Sequence, residues 1–361
     1  MALEFVLEPN PAPASDERVA EVLAAPGFGR VFTDHLAIAR WTPDRGWHDA
    51  KVQPYGPLSM DPATHVFHYS QTIFEGFKAY RQPDGSIATF RPSANGERFM
   101  RSAARMALPT LPVEDFVAAS DLLVRTDERW VPSEPGMSLY LRPLMMATEV
   151  GLGVRPANDV TFLVIASPAA SYFAGGAKPV SIWVSEEYTR AAPGGTGAAK
   201  TGGNYASSLL AQAEAIEEGC DQVAFLDAVE KKWVEELGGM NLYFVLDDNS
   251  VVTPELSGTI LEGVTRDSIL KLVTDLGYTV TERKVSIDEW REGAASGKVR
   301  EVFACGTAAV VTPVASLKWK DGETQIGDGN GGPVTAAVRS ALLDVQYGRA
   351  KDPHGWMTRI S

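Results

Sequence analysis

Cysteine is almost missing from this 361-residue chain, which carries only Cys220 and Cys305. Two thiols build neither a disulfide framework nor a cysteine-rich metal cage. No apolar run approaches the roughly 18 residues that a membrane span requires. Positive charge is short as well: 33 Lys and Arg stand against 46 Asp and Glu, a net charge of −13. Without a basic stripe the chain offers no surface for nucleic acid or an anionic membrane. The opening residues, MALEFVLEPNPAPASDER, lack a basic region followed by an apolar stretch and do not read as a secretory signal. There is no GKS or GKT and hence no Walker loop, and no internal repeat or low-complexity tract is found. The expectation from these absences is a cytoplasmic globular protein.

What is present is the composition of a soluble enzyme, 45% hydrophobic and 22% charged, with length for about two domains and a real core. The first 30 or so residues, rich in Pro, Ala and Asp, read as an arm. A hairpin follows: Phe77 to Arg81, a Pro83-Asp84-Gly85 turn, and Ile87 to Phe90. NGERFMRSAARM looks helical, and a second helix is predicted from Pro112 to about Trp130. Strands are predicted over Ser138–Arg142 and Val160–Ala166. The segment SPAASYFAGGAKPVS has neither helical nor strand period and reads as the link between two α/β domains. Beyond it come a strand SIWVSEE, a Gly-rich stretch, and a helix from about Asn204 to Gly219 carrying Leu209, Leu210, Ala213 and Ile216. Strands QVAFLD, KWVEEL and NLYFVLDD precede a helix that starts at Thr265, buries Ile269, Leu272, Val273 and Leu276, and ends at Gly277. VREVFACGTAAVVTPV reads as strand, Gly turn and apolar stretch, and a last helix runs from Pro333 to about Tyr347.

Four features could carry chemistry. Lys200 lies between Gly194, Gly195 and Gly197 on one side and Gly202 and Gly203 on the other. Such a backbone lets a cofactor approach closely, and a lysine in a partly apolar pocket is a competent amine for a Schiff base. From spacing alone, a solvated lysine in a flexible Gly-rich loop is the plainer reading. In EGVTRDS, Gly263, Val264 and Thr265 stand at a helix start whose free N–H groups suit a phosphate; an ordinary Thr cap is the plainer reading. In ACGTAA, Thr307 after a Gly turn offers N–H groups and a hydroxyl, or is simply a strand-end turn. Glu236 sits on a strand amid Trp233, Val234 and Leu237. Facing inward it would need a cation or donor such as a protonated ring nitrogen; for a lone carboxylate, strand alternation turning it outward is the plainer reading.

Seven motifs then occur in one order: HYSQTIFEGFKAYR, FRPSANGERFMRSAARM, SLYLRPL, TGAAKTGGNYASSLLAQ, VEELGGMNLYFV, LEGVTRDSI and REVFACGTAAVV. Together, from about residue 65 to 315, the chain resembles the branched-chain amino-acid aminotransferases of the fold-type IV pyridoxal-phosphate group. D-amino-acid aminotransferases and aminodeoxychorismate lyases, which share that fold, lack the combined FEG, LRP and EELGGMN pattern. A catalytically dead scaffold would be free to lose Lys200, Glu236, Tyr205 and Arg98, all of which stand here.

The resemblance implies an α/β (α+β) chain with a smaller domain over residues 1–170, a linker over 171–181, and a larger cofactor-binding domain with a barrel-like sheet over 182–361. A cleft between the domains would hold pyridoxal 5'-phosphate. It implies that Lys200 forms the Schiff base and shuttles the α-proton, that Tyr205 donates to the cofactor's phenolic oxygen, and that Glu236 pairs with its ring nitrogen. Arg98, Val264, Thr265 and Thr307 would hold the phosphate, and Arg190 would lie near the cofactor. Tyr69, Phe74, Tyr140, Arg142 and Tyr172 would line the substrate side. The backbone at Thr307 and Ala308 would take the α-carboxylate. The reaction implied is amino transfer between leucine, isoleucine or valine and 2-oxoglutarate, giving branched 2-oxo acids and glutamate, in a homodimer. Two departures stand out. Gly239 replaces a threonine of animal members and removes one hydroxyl from the substrate side. Ala309 and Thr312 replace their redox CxxC pair, which excludes that regulation and leaves Cys305 as a small buried filler.

Overall fold

The computed structural model describes residues 3–170 and 178–360. The described chain forms two compact units. One holds the residues up to 170, the short stretch Ala199–Gly202, and everything from Val345 on; the other holds residues 178–198 and 203–344. The contiguous division expected from the sequence differs at both inserted stretches. Of the expected linker, residues 171–177 lie outside the described residues, while Val180 and Ser181 already open the strand Val180–Ser185.

The first unit is built on a nine-stranded sheet. From one edge its strands run Val6–Leu7, Gly46–Pro54, His35–Thr42, Val160–Ala169, Ser138–Ala147, Phe77–Arg81, Ile87–Phe90 and Met357–Arg359, with Thr72–Phe74 pairing Ser138–Ala147. All pairings are antiparallel except the first. The predicted hairpin is present in register, with Ala79 opposite Thr89 and Gly85 at φ 83° closing the turn. The helices Pro92–Arg105 and Val113–Thr126 bury Phe99 and Phe116, whose rings meet each other at 5.3 Å and both meet Phe162. That aromatic cluster is the centre of this core.

The opening residues are more than an arm. A helix, Asp16–Ala24, begins at Ser15, whose hydroxyl accepts from the Arg18 N–H at 3.2 Å. It sends Val19 and Val22 into the core. Ahead of it, the Asn10 N–H donates to His35 Nε2 at 2.8 Å, and His35 Nδ1 meets the buried Asp127 at 2.7 Å. Pro and Ala mask this order because the segment is held by backbone pairing and caps, not by a hydrophobic period.

The second unit has its own nine-stranded sheet, in the order Val234–Leu237, Gln222–Leu226, Val180–Ser185, Val310–Trp319, Val299–Gly306, Asn241–Leu246, Val251–Thr253 and Val280–Glu282. Gly322–Gln325 pairs Val310–Trp319. Parallel and antiparallel pairs are mixed, giving the α/β class expected. The single helix expected from Asn204 is broken at Ser207–Ser208 into Gly202–Ala206 and Leu209–Glu217. Its packed face is also not the expected one. Ala211 and Ala215 are buried against Val223 and Phe225, because only small side chains allow so close an approach to the strand. Leu209, Leu210 and Ile216 are exposed. The helix Val264–Asp275 buries Ile269, Leu272 and Val273, but Leu276, just past its end, is exposed.

Asp121, on the helix Val113–Thr126, has a buried carboxylate oxygen with no hydrogen-bond partner among the described residues. Burial pushes its carboxyl up to about 6, with Arg125 opposing. Between the unfolded value near 4 and that folded value the native state binds the extra proton, so stability falls as pH rises through this window. Asp121→Asn removes the penalty. The variant should gain about 1–2 kcal/mol over wild type at pH 7 and almost nothing at pH 4, read by urea unfolding at both.

Candidate active site

Lys200 lies in the four-residue stretch that belongs to the first unit. Its N–H donates to the Ser102 hydroxyl at 3.0 Å, and its carbonyl accepts from the Phe74 N–H at 2.9 Å. Next to it, Thr201 bridges Ile73 as an added strand, and its hydroxyl donates to the Thr72 carbonyl at 2.8 Å. The glycines around Lys200 therefore do not leave it on a slack loop; both of its backbone groups are fixed. Its ammonium lies 4.6 Å from the centre of the Phe74 ring.

Arg98 projects from the buried face of the helix Pro92–Arg105, one turn before Ser102. It forms a fork with Glu75, Nε to Oε1 at 2.7 Å and Nη2 to Oε2 at 2.8 Å, with both side chains out of water. Gly76 follows, and a Cβ there would overlap the Tyr140 hydroxyl, so only glycine fits. That hydroxyl accepts from Arg142 Nη2 at 3.0 Å. The Arg142 guanidinium stacks over Phe74 at 4.8 Å and Tyr140 at 5.3 Å, and its buried Nε has no partner among the described residues. Phe74, Tyr140, Arg142 and Lys200 thus form one group around the Phe74 ring. Tyr69 stands on the short helix His65–Tyr69, partly exposed, with its hydroxyl donating to the Leu152 carbonyl at 2.5 Å. Tyr172 lies outside the described residues.

In the second unit Glu236 faces inward. Every residue of the strand Val234–Leu237 is buried, so alternation leaves it no outward face. Glu236 Oε1 accepts from Arg190 Nη1 at 2.9 Å and from the Leu261 N–H at 2.7 Å. Arg190 is itself buried, and its Nη1 also donates to the Thr259 carbonyl at 3.1 Å. Two residues beyond Leu261 the helix Val264–Asp275 starts at Gly263, a cap residue with no side chain of its own, and Val264 and Thr265 are buried there. A Cβ on Gly263 would overlap the Asn241 amide oxygen. Thr307 and Ala308 form the half-buried turn between the strands Val299–Gly306 and Val310–Trp319. Tyr205 is half-buried, and a Cβ on the exposed Gly239 would touch its ring at 3.7 Å. Ala309 and Thr312 are buried, and burial pushes the Cys305 thiol up to about 12, which makes it an inert filler.

Sequence reasoning missed Ser102, Glu75 and the Thr259–Leu261 segment. Ser102 had a signal, since it stands four residues after Arg98 on one helix face. Glu75 and Thr259 act through partners distant in sequence and had none.

Residues 72–317 match the amino-transferase class IV family. A probable branched-chain-amino-acid aminotransferase of Streptomyces coelicolor is 62% identical over 356 residues, 98% of this chain and 98% of its own. The branched-chain-amino-acid aminotransferase of Mycolicibacterium smegmatis is 56% identical over 363 residues, 99% of each chain. Among solved structures, a branched-chain amino acid aminotransferase of Escherichia coli is 30% identical, covers 90% of this chain and 100% of its own, and has a TM-score of 0.75. A second solved enzyme of that name, in complex with N-(5'-phosphopyridoxyl)-L-glutamate and from the source abbreviated T.th., is 31% identical, covers 90% of this chain and 99% of its own, and has a TM-score of 0.73.

Glu75→Ala strips the buried Arg98 of both charge-assisted bonds of its fork. The loss of unfolding free energy should be about 3–5 kcal/mol, measured by urea denaturation, and a loss below about 1 kcal/mol would show that the pair is not buried as a unit.

Proposed function

The chain belongs to the class IV amino-transferases and, within them, to the branched-chain-amino-acid enzymes, and from that membership we propose how its own residues divide the work. The reaction is reversible amino transfer between leucine, isoleucine or valine and 2-oxoglutarate. Pyridoxal 5'-phosphate, when bound, supplies the aldehyde that takes up the amino group and the ring that accepts the electron pair left at Cα.

The residues present fit that group. The helix start at Gly263, with Val264 and Thr265 buried beside it, presents the positive end of the helix, which suits a phosphate, and a carboxylate kept out of water at Glu236 suits a protonated ring nitrogen. Val264, Thr265, Thr307 and Arg98 would hold the phosphate, Tyr205 the phenolic oxygen, and Glu236 a proton at the ring nitrogen, with Arg190 beside it. Lys200 supplies the amine for attachment and moves the α-proton. The observation that carries this reading is the fixed backbone at Lys200, with its N–H on Ser102 and its carbonyl on Phe74. The lysine side chain thereby starts from one set place, as a repeated proton transfer by its amine requires.

One pocket must take both the aliphatic side chain of leucine and the γ-carboxylate of glutamate. An aromatic wall with one cation at its rim serves both: Phe74 and Tyr140 form the wall and Arg142 the cation, whose buried Nε has no partner among the described residues. The α-carboxylate, common to all substrates, would take the N–H groups of Thr307 and Ala308, and Gly239 adds no hydroxyl.

A homodimer and a cytoplasmic location belong to the same proposal. Phe67, Tyr69, Val150, Leu152 and Val154 are all exposed around the Thr64–Val150 bridge and the Tyr69–Leu152 hydrogen bond, an apolar surface suited to a second copy. Two free, buried thiols suit a reducing compartment. Among the described residues no helix is long and apolar enough to cross a membrane.

Lys200→Ala should abolish turnover with leucine and 2-oxoglutarate and remove the visible absorbance of the protein mixed with cofactor, while circular dichroism stays unchanged. Turnover within about tenfold of wild type would overturn the assignment. Arg142→Met should raise KM for glutamate and 2-oxoglutarate by about 10- to 150-fold, the loss of one charge-assisted pair, and leave KM for leucine nearly unchanged. Equal losses for leucine and glutamate would make Arg142 a support of the fold.

A further inference from the structure

Two adjacent carboxylates, Glu235 and Glu236, are buried on opposite faces of one short strand, and only Glu236 has a role above. Glu235 Oε1 bonds the Thr259 hydroxyl, which in turn pairs with the Ser257 hydroxyl at 2.6 Å. Glu235 Oε2 is buried and has no partner among the described residues. From Thr259 the chain returns at once to the other carboxylate. The Thr259 carbonyl accepts from Arg190 Nη1 at 3.1 Å, the same nitrogen lies 2.9 Å from Glu236 Oε1, and the Leu261 N–H donates to that oxygen at 2.7 Å. Asn241 Nδ2 donates to the Leu261 carbonyl at 3.0 Å. Gly197, three residues before Lys200, packs on the Thr259 backbone so closely that a Cβ would overlap its carbonyl oxygen.

We propose that Glu235 is a positioning residue: through the Thr259 hydroxyl it holds the Thr259–Leu261 backbone, and that backbone sets the Arg190 guanidinium and the Glu236 carboxylate. Thr259 is the joint, since its side chain answers to Glu235 and its main chain to Arg190. Without that tether the segment loses its one side-chain bond to Glu235 and keeps the Asn241 bond and the contacts with Arg190 and Glu236, so that the Leu261 N–H is held less firmly on Glu236. Burial raises the Glu235 carboxyl above the ordinary carboxylate range, with Thr259 opposing, Asp227 adding and Arg190 opposing. Arg190 is already committed to Glu236, and the side-chain bond that Glu235 makes is to the Thr259 hydroxyl. The work of Glu235 is thus to bond Thr259, a task an amide performs as well.

The inference rests on the role given to Glu236 above, and the test separates the two. Holoenzyme carrying Glu235→Ala, Glu235→Gln or Thr259→Val is compared with wild type for amide hydrogen exchange at Leu261 and for steady-state kinetics with leucine. Glu235→Ala and Thr259→Val should each speed Leu261 exchange by about tenfold or more and lower kcat by about 10- to 100-fold, with KM for leucine within about threefold. Glu235→Gln should stay within about threefold of wild type in both. Thr259→Val keeps the shape of the site and decides the matter if Glu235→Ala does not fold. Leu261 exchange as slow as wild type in both tether variants overturns the proposal, as does damage in Glu235→Gln equal to that in Glu235→Ala. The exchange reading needs no turnover. Fast exchange with unchanged kcat overturns the proposed consequence for Glu236 and leaves the amino-transfer reading standing.

Discussion

A carboxylate taken out of water costs several kcal/mol unless a guanidinium or N–H groups meet it, and each unit of this chain is arranged around one that is met. In the first unit the Glu75–Arg98 fork fixes the helix Pro92–Arg105 against the residues just after the strand Thr72–Phe74. The same helix offers Ser102 to Lys200. In the second unit Glu236 is held by Arg190 and the Leu261 N–H, and the helix start at Gly263 follows two residues on. Neither pair adds much net stability over an apolar packing of equal volume. What each supplies is a single arrangement, because either partner left alone would be strongly unfavourable.

Much of this was legible in the residues and some was not, for physical reasons that differ. The hairpin at Pro83-Asp84-Gly85 and the helices at Pro92 and Val113 follow local rules of turn chemistry and period, and they stand where expected. The helix start beside Gly263 and the turn at Thr307 were also readable from glycine placement, although the cap residue is Gly263 and not the threonine that was the plainer reading. Glu236 was ambiguous from alternation alone, because a strand covered on both faces has no outward side. The helix after Lys200 misled through its large residues: three bulky apolar side chains suggest the buried face, yet the close approach to Phe225 admits only the alanines. The order of the opening segment was hidden since its anchors, His35 and Asp127, lie far along the chain.

Lys200 shows how a glycine-rich stretch can be both permissive and fixed. Gly197 and Gly263 are needed because a side chain would strike a backbone or amide oxygen. Between them in sequence, Ala199–Gly202 leaves the surrounding unit and joins the edge of the other sheet at Ile73. Flexibility in the unfolded chain is thereby exchanged for one conformation, and the hydroxyls of Ser102 and Thr201 select it.

The last strand of the first sheet, Met357–Arg359, pairs Ile87–Phe90, and the Ile360 N–H reaches back to the Ile87 carbonyl at 2.9 Å. On a ribosome that delivers residues from the N-terminus onward, the edge at Ile87–Phe90 therefore waits, without its last partner, until residues 357–360 have emerged. The second unit, whose residues end at Asp344, can close while the first still lacks its final strand. The half of the chain that is made first is in this way the half that is finished last, and an unpaired strand edge of that kind is what holding chaperones shield during synthesis.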